Sequence, residues 1–253
     1  TIAAGQTVSV SAYTGNNITM SGGTLIICGT GNTIPNLTLN GNGATTATVI
    51  VNGTVTFANI NINNAGILFK NYGTMVCVNA TSNAAIENYG TITFNGDFAT
   101  KTSFLNQGTI TARRSLINNS GFTLNNQGIL VVNGTLHNNS NATLLNSCTI
   151  TANEFINDYV TTNSGTITVS AMSRLNGSSI YNAVAGSLLE TQTFTNDGAI
   201  KADATKCATI KISRSANVNS ANVSGIINVC GITATSNQSF NSKVVFSCSC
   251  ASN

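Results

Sequence analysis

The phrase Gly-Thr-x-Thr, or a close variant of it, returns along this chain too often and too evenly to be chance. It is anchored at Thr54 ("GTVTF"), Thr74 ("GTMVC"), Thr91 ("GTITF"), Thr109 ("GTITA"), Ile129 ("GILVV"), Thr149 ("CTITA") and Thr166 ("GTITV"). A short and nearly constant interval of this kind is the mark of a solenoid, in which every repeat stacks on its neighbours and none buries its apolar face alone. Inside each phrase apolar and polar residues alternate with period two, the period of a strand and not of a helix. The chain is therefore expected to be all-β, a parallel β-solenoid (β-helix) with coils of about 17–21 residues.

Alternation also predicts which side chains point inward. The middle position of each phrase holds Val55, Met75, Ile92, Ile110, Leu130, Ile150 and Ile167, all apolar, and stacking the coils gathers them into one core column. The flanking positions then form outward threonine columns: Thr54 and Thr56, Thr91 and Thr93, Thr109 and Thr111, Thr149 and Thr151, Thr166 and Thr168. A second apolar cluster in each unit, such as Phe104-Leu105, Leu116-Ile117, Leu144-Leu145 and Phe155-Ile156, is expected to supply the other walls. Between strands lie "NQG", "NNQG", "NNS" and "NSG"; Gly and Asn tolerate the left-handed backbone of a sharp corner, and stacked Asn can form a ladder. The signature of the leucine-rich repeat, the competitor nearest in length, is missing.

The whole of 1–253 reads as a single solenoid domain. Residues 1–22 form an N-terminal strand or cap region, 23–186 the regular coils, and 187–253 less regular coils with a cysteine cluster. The longer interval from Thr24 in "GTLIIC" to Thr54 reads as a coil carrying an insertion.

Only 7% of residues are charged while 42% are hydrophobic, which sets the chain apart from charged disordered tails. A net charge of +3 is too weak to imply a nucleic-acid partner. No apolar run approaches the ~18 residues of a transmembrane segment.

Chemistry is sparse. Seven carboxylates are spread over the chain, and Asp97 and Glu154 fall three anchors apart, about 14 Å at 4.8 Å per coil. Glu154 and Asp158 flank apolar residues and read as surface groups. The single His, His137, reads as a solvent-facing turn residue without a nearby acid at ligand spacing. Turns carry Asn where calcium-binding repeats need Asp. No catalytic residue, metal site or cofactor is expected, and the chain is read as non-enzymatic.

Seven cysteines leave at least one unpaired within the chain. Cys207, Cys230, Cys248 and Cys250 recur near one coil length, so a disulfide staple is expected there, with Cys248 or Cys250 closing onto Cys230. Tyr72 and Tyr89 share one corner ("NYG") in adjacent coils, a candidate sugar platform or a simple stacked pair.

Phrases of the form Asn-x-Gly-Thr-Ile-Thr followed by an apolar-Asn-Asn turn resemble the β-helical stretches of large secreted surface adhesins of Bacteroidota, and more distantly filamentous haemagglutinin-type passengers. The resemblance spans most of 23–186 and lies in repeat style. It implies an extracellular, cell-surface adhesin segment or fibre subunit; the strands "QTVSVSA" and "SKVVFSCSC" make end-to-end homopolymer stacking a candidate, and surface glycans are candidate partners. A carbohydrate-binding or carbohydrate-cleaving β-helix is the alternative reading. Ice binding by the Thr-x-Thr columns is a lesser one, opposed by the interruptions at Val76, Ile129 and Val131 and by the varying coil length.

Overall fold

A computed structural model describes residues 1–40, 46–62, 67–82, 85–218, 222–231, 244–245 and 247. Among them the chain is all-β without a helix, wound as a parallel solenoid of about 10 turns. Strands assemble into a 12-stranded and a 15-stranded sheet among the described residues, and every pairing recorded is parallel.

Each coil has three runs. One coil shows the pattern: strand Thr123–Asn126 forms a first wall, and strand Ile129–Asn138 supplies both others. That second strand changes register against its neighbour between Val132 and Thr135, where it bends from the second wall (129–132) into the third (135–138). In other coils the bend is a break, as between Thr109–Ala112 and Leu116–Asn118. All three walls turn alternate side chains inward, so one coil closes around its own core.

The middle residues of the second wall stack in register. Val55 pairs with Met75, Met75 with Ile92, Ile92 with Ile110, Ile110 with Leu130, Leu130 with Ile150, and Ile150 with Ile167. Each is at most 1% exposed. Burying such a side chain contributes about 1.5–3 kcal/mol, and the column is one part of a core that runs the length of the coils. The second apolar clusters divide between the other walls: Phe104 and Leu144 are buried on the first, Leu116 and Phe155 on the third. Their partners Leu105, Leu145, Ile117 and Ile156 face outward and are half-buried.

Three features of the coils bear on the expected pattern, and the first and third correct it. First, "GTLIIC" is not a second-wall phrase. Thr24 pairs with Thr48 on the first wall, and the second-wall run of that coil is the start of Asn32–Leu39, with Asn32 opposite Val55. The long interval from Thr24 to Thr54 joined two different walls because the same β-like phrase suits both. The coil that leads from Thr24 to its true partner Thr48 still runs past the expected upper length of about 21 residues.

Second, the coils past Gly186 keep register in the second wall, Thr166 to Leu188 to Thr209 to Asn228, although the Thr-x-Thr phrase fades. The N-terminal strand Thr7–Ser11 likewise lies in register on the strand Gly23–Cys28 as a coil wall.

Third, the corner glycines are not there for a left-handed backbone. Gly53, Gly73, Gly90, Gly108, Gly128 and Gly165 stack in a column, and none has positive φ. A Cβ on any of them would come closer than 3.0 Å to a carbonyl oxygen of the preceding coil. Glycine is needed there because backbones meet. Positive φ occurs instead in turns such as Gly121 (83°) and Asn141 (60°).

Candidate functional site

The Asn of the corner phrases point into the core, not into the turn. At the end of the first wall, Asn71, Asn88, Asn106, Asn126, Asn146 and Asn163 occupy one register column, and each is at most 2% exposed. Each Nδ2 donates to the Oδ1 of the next, at 2.7–2.8 Å. The same amide also donates to a backbone carbonyl of the following coil: Asn88 to Thr109 O, Asn126 to Thr149 O, Asn146 to Thr166 O.

Buried polar groups cost stability unless they are paired, and the ladder pairs both ends of every amide after Asn71. Where the column runs out, the chain improvises. Ala183 stands where the next Asn would be, and the buried Tyr181 fills that space; Asn163 Nδ2 donates to its hydroxyl at 3.0 Å. Burial raises the Tyr181 phenol pKa, the Asn163 hydrogen bond opposing the shift. At the other end Val51 precedes Asn71, whose Oδ1 accepts nothing among the described residues. A second ladder closes the third wall, from Thr100 through Asn118 and Asn138 to Asn157.

On the outside, the threonine columns hold register in the second wall. Thr54 lies opposite Thr74, Thr91 opposite Thr109, and Thr149 opposite Thr166. Thr56, Thr93, Thr111, Thr151 and Thr168 form the parallel column, with Val76 and Val131 in the gaps. None of these ten threonine hydroxyls bonds another protein group among the described residues.

Tyr72 and Tyr89 stack on each other, ring centroids 4.9 Å apart and planes 7° from parallel. The Tyr89 hydroxyl donates to Glu87 at 3.1 Å, and Glu87 pairs with Lys70 at 3.2 Å. Each ring thus covers one face of the other, and a sugar laid across both would meet ring edges. The stacking column continues as Gln107 to Gln127, at 2.8 Å.

His137 departs from its expected turn. It lies on strand Ile129–Asn138, and its Nε2 is 2.7 Å from Asp158 Oδ2 in the next coil. A carboxylate only accepts, so Nε2 donates. Asn176, one coil further on, donates to the other Asp158 oxygen. Sequence spacing hid the pair because the distance between the two along the chain acquires meaning only once the coil register is known.

Partial burial alone would raise the Asp158 pKa, but the His137 and Asn176 hydrogen bonds outweigh it and the net shift is downward. A depressed carboxylate contributes stability that is fully present above its unfolded value of about 4 and is lost as pH falls through the folded value. Wild type is expected to lose stability below about pH 4 more steeply than Asp158→Asn, measured by urea unfolding at stepped pH. Parallel curves would rule the contribution out.

The other acids are also engaged. Asp97 accepts from Ser115 N at 2.9 Å, Glu154 from Thr135 Oγ1 at 3.1 Å, and Glu190 meets Lys211 at 2.7 Å. Asp97 and Glu154 are not brought together. No group of three or more metal-ligating side chains occurs among the described residues, and no helix among them is long and apolar enough to cross a membrane.

The expected staple on Cys230 is not formed. Cys28, Cys77, Cys148 and Cys230 are thiols, and burial raises the Cys77 pKa. Cys77 and Cys230 serve as small buried residues of the second wall. Cys207 is disulfide-bonded, while Cys248 and Cys250 lie outside the described residues. No protein-family model, no curated protein and no solved structure matches the chain.

Proposed function

We propose that the chain is a non-enzymatic, extracellular structural solenoid: a segment of a cell-surface adhesin or a fibre subunit that holds an uncharged surface away from its anchor. The observation that carries this reading is where the polar residues go. Asparagine runs in buried ladders from coil to coil, and Glu87, Asp158 and Glu190 are each tied to a basic group, Lys70, His137 and Lys211 in turn. Such a chain invests its polar chemistry in axial continuity. At about 4.8 Å per coil, 10 turns give a rod of about 48 Å.

The resemblance in repeat style to Bacteroidota adhesins points the same way. Among the described residues strand Thr7–Ser11 pairs with Gly23–Cys28 alone, and end-to-end stacking of copies on that edge is part of the proposal. Electron microscopy of the native material tests the reading. Rods about 48 Å long, or filaments built from them, are expected, and globular particles without an axial repeat would overturn it. Rods that stay single at high concentration would remove the stacking part.

The carbohydrate reading rests on the tyrosine pair. Because these rings face each other, Tyr72→Ala and Tyr89→Ala are each expected to cost about 1 kcal/mol of stability and to leave a glycan-array profile unchanged. Glycan binding lost in both variants would make the chain a carbohydrate-binding module instead.

A further inference from the structure

The varying coil length told against a lattice-matched surface, and the structure removes that objection. Residues gained or lost between coils do not disturb the second wall, which pairs residue for residue from Thr54 to Thr168. The outward face is therefore a two-column grid. Its repeat is about 4.8 Å along the axis and about 6.6 Å across, two residues of a parallel strand.

The chemistry of that grid is specific. The two columns carry no charged side chain from Thr54 to Thr168; charge enters only beyond, at Glu190 and Lys211, which pair with each other. The threonine hydroxyls are unused by the protein among the described residues. Backbone hydrogen bonds to coils above and below fix each Cα, and a β-branched side chain has little χ1 freedom left. Fixed hydroxyls with methyl groups between them hold water at fixed points without the disordered hydration shell that a charge imposes.

Crystalline water has a repeat that follows from its hydrogen bond. With tetrahedral oxygens about 2.75 Å apart, second neighbours lie about 4.5 Å apart and the stacking repeat is 8/3 of the bond, about 7.3 Å. The protein grid departs from these by roughly 7% and 10%. Along the axis that error is about 0.3 Å for one step, within the spread of O–H···O distances. Threonine pairs come in blocks of two adjacent coils: Thr91/Thr93 with Thr109/Thr111, and Thr149/Thr151 with Thr166/Thr168. Ile129 and Val131 separate the blocks with apolar groups of similar reach.

We propose that this wall is an ice-binding face, its ligand the surface lattice of crystalline water. The test grows ice slowly from a dilute solution of the protein and measures how much enters the ice, together with thermal hysteresis. Thr111→Lys and Thr151→Lys each place a charge within one block, and Gln127→Lys places one on an exposed corner off the wall. Wild type and Gln127→Lys are expected to enter the ice. Each wall variant is expected to be depleted at least about tenfold, with an unchanged melting curve.

Exclusion of wild type from ice, equal uptake by the wall variants, or equal loss in Gln127→Lys would each overturn the proposal. Crystalline cellulose or chitin serves as a second probe. Retention there, lost in the wall variants and without uptake into ice, would also overturn it, assigning the wall to a polysaccharide.

Discussion

Gly108→Ala is expected to lower the unfolding free energy by about 3 kcal/mol, one of the largest effects a single methyl group can have in this protein. The methyl would be directed at the Gly90 carbonyl oxygen, closer than 3.0 Å, and that oxygen is already engaged by the Thr109 amide. Neither group can retreat without opening the hydrogen bonds that join the coils. A backbone contact cannot relax as a side-chain tip does. Gly121→Ala is the control: no atom lies within 4 Å of the added carbon, and its φ of 83° exacts only the ordinary left-handed cost of about 1 kcal/mol. Chemical denaturation of both variants separates close approach from backbone conformation. Equal losses would mean the coils do not meet at this corner.

Asn126→Leu is expected to cost a similar amount, about 3 kcal/mol, despite the greater hydrophobicity of leucine. Asn126 is fully buried and accepts from Asn106 at 2.7 Å. It donates to Asn146 at 2.8 Å and to Thr149 O and Gly128 O at 3.0 Å. Its removal strips the donor from Asn146 Oδ1 inside the core, and a buried unsatisfied acceptor costs about 1–3 kcal/mol before packing strain is added. Gln127→Ala, one residue away on the exposed outer ladder, is expected to stay within about 0.5 kcal/mol. A stabilising Asn126→Leu would show that the ladder is replaceable by a dry core.

Much of the architecture was legible because period and alternation are local properties. Ile92 and Ile110 could be placed in one column from their phrases alone. What could not be read depends on register across a coil. "GTLIIC" satisfies the strand pattern on either of two walls, and only pairing with Thr48 tells which.

The asparagines of "NNQG" look like turn residues. Alternation counted back from the corner would have turned Asn126 inward, two positions after the buried Leu124. His137 and Asp158 meet because the coil between them returns the chain to the same wall, and neither residue signals the other locally. The glycine column was visible, but its cause was not: positive φ and backbone contact leave the same letter in a sequence.

The threonine wall illustrates the same limit from the other side. Unequal coil lengths suggested an uneven surface, yet the differences fall outside the strands that build the wall.

Cross-linking tests the stacked register most directly. Thr93 and Thr111 are Cα partners in adjacent coils, at the strand spacing of about 4.8 Å, inside the range a disulfide spans. The double variant Thr93→Cys/Thr111→Cys is expected to oxidise to an intramolecular bridge, found by non-reducing peptide mapping. Thr91→Cys/Thr111→Cys, offset by two residues to about 8 Å, is expected not to. Bridging of the offset pair in place of the matched one, or of neither, would contradict the parallel in-register coil on which the rest stands.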